Sequence, residues 1–182
     1  MKLQNTAHIK IHEGCTVTLK DQEVTVSGPR GELKRNFNMC PLQMRIEGNT
    51  VFVTCWFPRA KLNAIPQTVV THIDNMMTGV TKGYCFVMKS AHAHFPMEFV
   101  VKGSHVEVRN FIGQKDVMTT KAMEGVTFQY DKEKKNELKV IGNDLEKVAQ
   151  TCASIHSSCK VYNKDIRKFL DGVYLFSRGN CE

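Results

Sequence analysis

With 182 residues, 42% of them hydrophobic, the chain can bury the cores of one large domain or two small ones. Its 25 Lys and Arg against 18 Asp and Glu leave a charge of +7, which suits a polyanion partner without demanding one. No run approaches the ~20 apolar residues of a membrane span, Met1–Thr6 lacks the apolar core of a secretion signal, and seven cysteines without a Cys-x-x-Cys fit reduced, cytoplasmic thiols better than a disulfide framework.

A first short strand is expected at His8–Ile11. Cys15–Lys20 and Glu23–Ser27 then alternate apolar and polar residues, the signature of strands with one buried face. Gly28-Pro29-Arg30-Gly31 reads as the turn that follows. Further strands are expected at Leu33–Phe37, Leu42–Ile46 and Val51–Cys55, with Gly48-Asn49 as the turn between the last two. Leu62, Ile65, Val69, Ile73 and Met76 or Met77 step by three or four, which predicts a helix. Pro66 cannot sit in its interior, so the helix begins near Ile65 or its first turn is bent. Gly79 or Gly83 is expected to end it.

The order then repeats. Tyr84–Lys89 is a predicted strand, and Met97–Val101 with His105–Arg109 a predicted hairpin. Val106–Gly113 echoes Val24–Gly31 at an offset of 82 positions, and Val17 and Leu19 fall on Phe99 and Val101 at the same offset. A fixed offset over several apolar and Gly positions indicates a duplication. Strands follow at Lys115–Thr119, Val126–Tyr130 and Glu137–Ile141, with Asp131–Asn136 as an exposed turn. Leu145, Val148, Cys152, Ile155 and Cys159 form one helical face, and Asn143 with Glu146 an approximate capping box.

The resulting fold class is α+β: two tandem, duplicated domains, each a mainly antiparallel sheet with one packed helix, plus a basic C-terminal tail. The boundaries are 1–82, 83–159 and 160–182. In the tail Lys160, Lys164, Arg167 and Lys168 alternate with Tyr162, Phe169, Tyr174 and Phe176, and Phe169 and Leu170 are expected to pack it on the second domain.

No constellation with catalytic roles is evident. His92-x-His94 would place two imidazoles on one strand face without a third ligand nearby. Cys152, His156 and Cys159 share a helix face whose apolar neighbours favour a core stripe over a metal site. Asp144, Asp165 and Asp171 fit caps and turns. The expectation is therefore no catalysis, no metal, no cofactor and no small-molecule substrate.

Asn163-Lys164-Asp165-Ile166-Arg167-Lys168-Phe169-Leu170-Asp171-Gly172 closely resembles the C-terminal signature of the ribosomal protein six family of the large subunit, in its eukaryotic and archaeal branch. Lys20–Leu33, Ala93-His94-Phe95-Pro96, Val108–Lys115 and Gly142-Asn143-Asp144-Leu145-Glu146 agree, in order along almost the whole chain. The resemblance implies a cytoplasmic, structural component of the large subunit that binds its ribosomal RNA near the sarcin–ricin loop and stalk base, beside neighbouring ribosomal proteins. An RNA-binding module outside the ribosome is the alternative. By matching motif, the resemblance carries RNA contact onto Arg109 and Lys115, and onto Lys164, Arg167 and Lys168; Lys160 joins them from the tail. Where the family has several arginines after the second Gly turn, this chain has Val117-Met118-Thr119-Thr120 and keeps only Lys121. The lysine-rich insertion common before Val51 is also absent.

Overall fold

A computed structural model describes residues 3–38, 41–130 and 136–181. The expected Asp131–Asn136 turn thus lies, except for Asn136, outside the described residues. The chain divides into two compact units, Met1–Lys82 and Gly83–Glu182.

In the first unit, β1 (Gln4–Lys10), β6 (Thr50–Trp56) and β5 (Gln43–Glu47) form one antiparallel sheet in the order β1-β6-β5. Strands β2 (Thr16–Lys20), β3 (Glu23–Gly28) and β4 (Gly31–Asn36) form a second meander. The predicted single sheet is therefore two sheets, both packed with helix α1 (Ile65–Thr81). Alternation does its expected work: Val24, Val26, Val51 and Val53 are fully buried while their chain neighbours, Thr54 excepted, are exposed or half-buried. Each such valine contributes roughly 1.5–3 kcal/mol of burial. Pro66 sits in the first turn of α1, after a single 3-10 turn at Leu62–Ala64, where its missing N–H costs no hydrogen bond. Gly83 (φ 70°) ends the helix rather than Gly79, which is buried within it. Gly28 is required for space. A Cβ there would lie 2.7 Å from Val80 Cγ2, because the Gly28–Gly31 turn docks on the end of α1 with Arg30 N–H donating to Val80 O (3.0 Å).

The second unit repeats the plan. Strands β7 (Tyr84–Ala91), β12 (Glu137–Gly142) and β11 (Val126–Tyr130) correspond to β1, β6 and β5; β8 (Glu98–Lys102), β9 (His105–Arg109) and β10 (Met118–Lys121) correspond to β2, β3 and β4. Helix α2 (Leu145–Ser158) buries Val148, Cys152 and Ile155 against these strands. Its N-cap is Asp144, whose carboxylate accepts from Glu146 N–H at 2.9 Å, not the Asn143 of the expected capping box. The expected strand at Lys115–Thr119 starts only at Met118, because Asn110 (φ 60°), Ile112 (φ 52°) and Gly113 (φ 70°) turn the chain through a tight left-handed bend first.

The tail departs most from expectation. Residues 172–180 are strand β13 (Gly172–Asn180), which pairs antiparallel with the free edge of β7, from Gly172 opposite Ala91 to Asn180 opposite Tyr84. The sheet order is thus β11-β12-β7-β13. The basic part before it does not pack: Tyr162, Ile166 and Leu170 are 75%, 65% and 64% exposed, and Phe169 is 40% exposed. Val161 and Val173, at its two ends, supply the anchoring instead.

Candidate nucleic-acid interface

Three stretches far apart in sequence meet at one end of the second unit. The Asn110 side chain donates to Pro96 O (2.9 Å), and the Phe95 ring covers Gly113, where a Cβ would lie 2.9 Å from a ring carbon. Ala93 N–H donates to the Asp171 carboxylate (2.9 Å). The 93–96 loop is therefore a bridge between the turn that carries Arg109 and Lys115 and the segment that carries Lys164, Arg167 and Lys168. The turn itself is strained, since Ile112 is β-branched and holds a left-handed backbone that such residues rarely adopt.

Lys121 and Lys160 belong to the other end of that segment. Thr120 donates to Ser158 Oγ (3.3 Å), which joins the end of β10 to the end of α2. Segment 160–171 thus runs from the neighbourhood of Lys121 to the bridge at Ala93. Its backbone is turned by Asn163 (φ 57°) and by Lys168 and Phe169 N–H groups donating to Asp165 O.

The cations differ in their present partners. Glu107 lies between Lys102 (2.6 Å) and Arg109 (2.8 Å), and hydrogen bonds from first Lys102 and then Arg109 hold its carboxyl below the usual range. Arg167 grips Asp165 with two bonds (3.1 and 3.2 Å), which likewise lowers the Asp165 pKa. Lys164 Nζ lies 5.7 Å from the centre of the Phe169 ring. Lys115, Lys121, Lys160 and Lys168 are exposed. These pairs are at the surface, so exchanging a carboxylate for a phosphate costs little.

The candidate metal ligands do not converge. Among the described residues no group of three or more His, Cys, Asp or Glu could hold an ion. Cys152 and Cys159 are buried, and burial pushes the Cys152 thiol up to about 11 and raises Cys159 as well. The His156 ring bonds Val173 O through Nδ1 (2.8 Å). His92 is half-buried, and its Nδ1 has no partner among the described residues; His94 stacks edge-on against Phe95 (4.9 Å, 77°). A cleft of about 750 Å3 opens beside α2, lined by Phe86, Cys152, His156, Tyr174 and Arg178 among others, and no carboxylate of the described residues lines it.

Glu107 as the clamp on Arg109, and Phe95 as the lid on Gly113, were not legible in the sequence. The one available signal was the charge alternation Lys102, Glu107, Arg109, which places two cations and one carboxylate on adjacent strands.

Fold and site define a class: a duplicated α+β scaffold whose strained turns and irregular segments carry the exposed cations. The family model described as Ribosomal protein L6 matches residues 11–83 and again residues 95–172. The chain is 42% identical over 176 residues to large ribosomal subunit protein uL6A of Schizosaccharomyces pombe, covering 96% of this chain and 93% of the relative. It is 42% identical over 182 residues to uL6 of Candida albicans (97% and 95% covered) and 38% over 171 residues to uL6 of Aeropyrum pernix (93% and 92%). The chain belongs to the ribosomal protein L6 family, in its eukaryotic and archaeal branch. That family is structural, not enzymatic.

Proposed function

We propose that the chain is a structural constituent of the large subunit of the cytoplasmic ribosome, bound to large-subunit ribosomal RNA through its second unit. The contact lies near the sarcin–ricin loop and the stalk base, with other ribosomal proteins adjacent. Arg109 and Lys115 on the strained turn, Lys164, Arg167 and Lys168 on the exposed segment, and Lys121 with Lys160 at its start are the contact residues. The observation that carries this reading is the bridge at 93–96, which fixes the turn and the segment to each other so that their cations act on one polyanion.

Phosphate neutralisation releases counterions, so each lost contact lowers the salt slope of log affinity by about 0.7–0.9. Replacing Lys164, Arg167 and Lys168 together with Ala is expected to flatten the slope by roughly two to three units. Folding is expected to stay the same, because these charges are exposed. The measurement is binding to a large-subunit RNA fragment containing the sarcin–ricin loop across several salt concentrations, with thermal unfolding as control. Wild-type affinity and slope in the variant would move the contact to Arg109, Lys115 and Lys121. Sedimentation of the native protein away from the large subunit, with RNA binding intact, would favour a module acting outside the ribosome.

A further inference from the structure

The first unit has an open sheet face that the contacts above leave unused. Strands β1, β6 and β5 turn Ala7, Ile9, Val51, Val53, Met44 and Ile46 into the core. Alternation places His8, Arg45, Phe52 and Trp56 on the opposite face. His8 pairs with Phe52 across the strands, and their rings stack at 5.8 Å and 30°. Arg45 lies over the other flank of Phe52, 5.4 Å from the ring centre. Trp56 is 53% exposed, and its indole N–H donates to Gln43 Oε1 (2.9 Å), so its single polar atom is already satisfied and what it leaves exposed is apolar ring.

The edge of this face is held under strain. Phe57 has φ 48°, a conformation a bulky residue keeps only where its surroundings impose it. Its N–H donates to Leu3 O (2.8 Å), and the Asn5 side chain donates to Asn63 O (2.6 Å), so the start of β1 holds the 57–63 turn in place. The residue held there is a second aromatic, 59% exposed and next to Trp56 in the chain.

Charge then selects the partner. Arg59 and Lys61, both exposed, follow at once, and no Asp or Glu occurs between Asn49 and Ile73 or between Leu3 and His12. Glu47, the carboxylate at the far end of β5, is paired with Arg45 at 3.2 Å. An apolar protein surface would gain from the rings but would leave these cations without counter-charge. Exposed rings flanked by cations and backed by a sheet match unpaired nucleotides, whose bases stack and whose phosphates are anionic.

We propose that the open face of β1-β6-β5, with Trp56 and Phe57 at its edge, is a stacking platform for unpaired RNA bases, and that Arg59 and Lys61 contact the flanking phosphates. This second contact lies on the repeat opposite to the one argued above, and it rests on the reading that the partner is RNA.

Trp56 is the only tryptophan in the chain, so its fluorescence reports on this face alone. The test titrates the full chain with unpaired oligo(A) and oligo(U), following tryptophan emission and, in parallel, the anisotropy of end-labelled RNA. The expected result is quenching that tracks binding, and about a tenfold loss of affinity in Trp56→Ala and in Phe57→Gly. The triple Ala variant at 164, 167 and 168 should keep the quenching. Binding by anisotropy with unchanged emission, or wild-type affinity in Trp56→Ala, overturns the platform and leaves the second-unit interface standing. Absence of binding to either oligonucleotide overturns the platform alone, because the second-unit interface is tested on its own ribosomal RNA fragment. An emission change produced only by added large-subunit proteins would show that a protein docks here instead.

Discussion

The two units anchor the same turn in different ways. In the first, Gly28–Gly31 lies against the end of α1, with Gly28 in contact with Val80 and Arg30 N–H bonded to Val80 O. In the second, the equivalent turn buries Phe111 in the core and meets the 93–96 loop, with Ile112 strained and Phe95 over Gly113. One copy is tied to the end of its helix; the other is seated by the buried Phe111 and bridged to the 93–96 loop, beside Arg109 and Lys115. Duplication thus supplied two turns anchored differently, and the proposed contacts flank the second.

If the two scaffolds are equivalent, truncating their cores should cost the same. Ile73→Ala in α1 and Ile155→Ala in α2, both fully buried, are each expected to lose about 2–5 kcal/mol. Hydrogen exchange should show the loss confined to the unit that carries the change. Equal loosening of both units would break the comparison at its root.

The turns themselves should separate next. Gly28→Ala is expected to destabilise by about 1–3 kcal/mol, since its Cβ meets both Val80 Cγ2 (2.7 Å) and Val80 O (3.0 Å). Gly113→Ala should cost less, about 1 kcal/mol, because its φ of 70° is unfavourable but the half-exposed Phe95 ring can swing away. Chemical denaturation of both variants checks the order.

The helix starts differ in a smaller way. Asp144 caps α2 by side chain, whereas Ala64 at the start of α1 has no side-chain cap. Asp144→Ala should therefore cost about 1 kcal/mol in the second unit. The equivalent position in the first has nothing to lose.

The weakest contrast is chemical, and its readout is a rate. Burial pushes Cys152 up to about 11 and also raises Cys15, which is only half-buried. Thiolate is the reactive form, so Cys152 should alkylate more slowly than Cys15 in the folded protein. Its rate should keep rising with pH until about 11. Equal labelling of the two near neutral pH would show that the second core opens readily.

Much of this architecture was legible in the residues. Alternation located Val24, Val26, Val106 and Val108, and the three-four spacing found both helices. Strand β13 was not legible, because its register breaks at a bulge between Leu175 and Ser177 and its outer residues read as part of a charged tail. The same charge made Phe169 and Leu170 look like anchors, although exposure there is set by the turn at Asp165. Trp56 and Phe57 lie just past the expected strand Val51–Cys55, and hydrophobicity alone assigns them no outward role. Only backbone geometry, which composition does not encode, shows that they face outward.

Strand β13 also sets the order in which the protein can be finished as it is made. The first unit pairs only strands within its own 82 residues, so it can close while the rest is still being synthesised. The second cannot: β7 emerges early, and its edge waits for the last strand in chain order to arrive. During that interval β7 offers unpaired backbone and a hydrophobic flank to any passing strand. The newly made chain is therefore most vulnerable to mispairing after its first half has folded, a window in which a chaperone holding the second half would matter most.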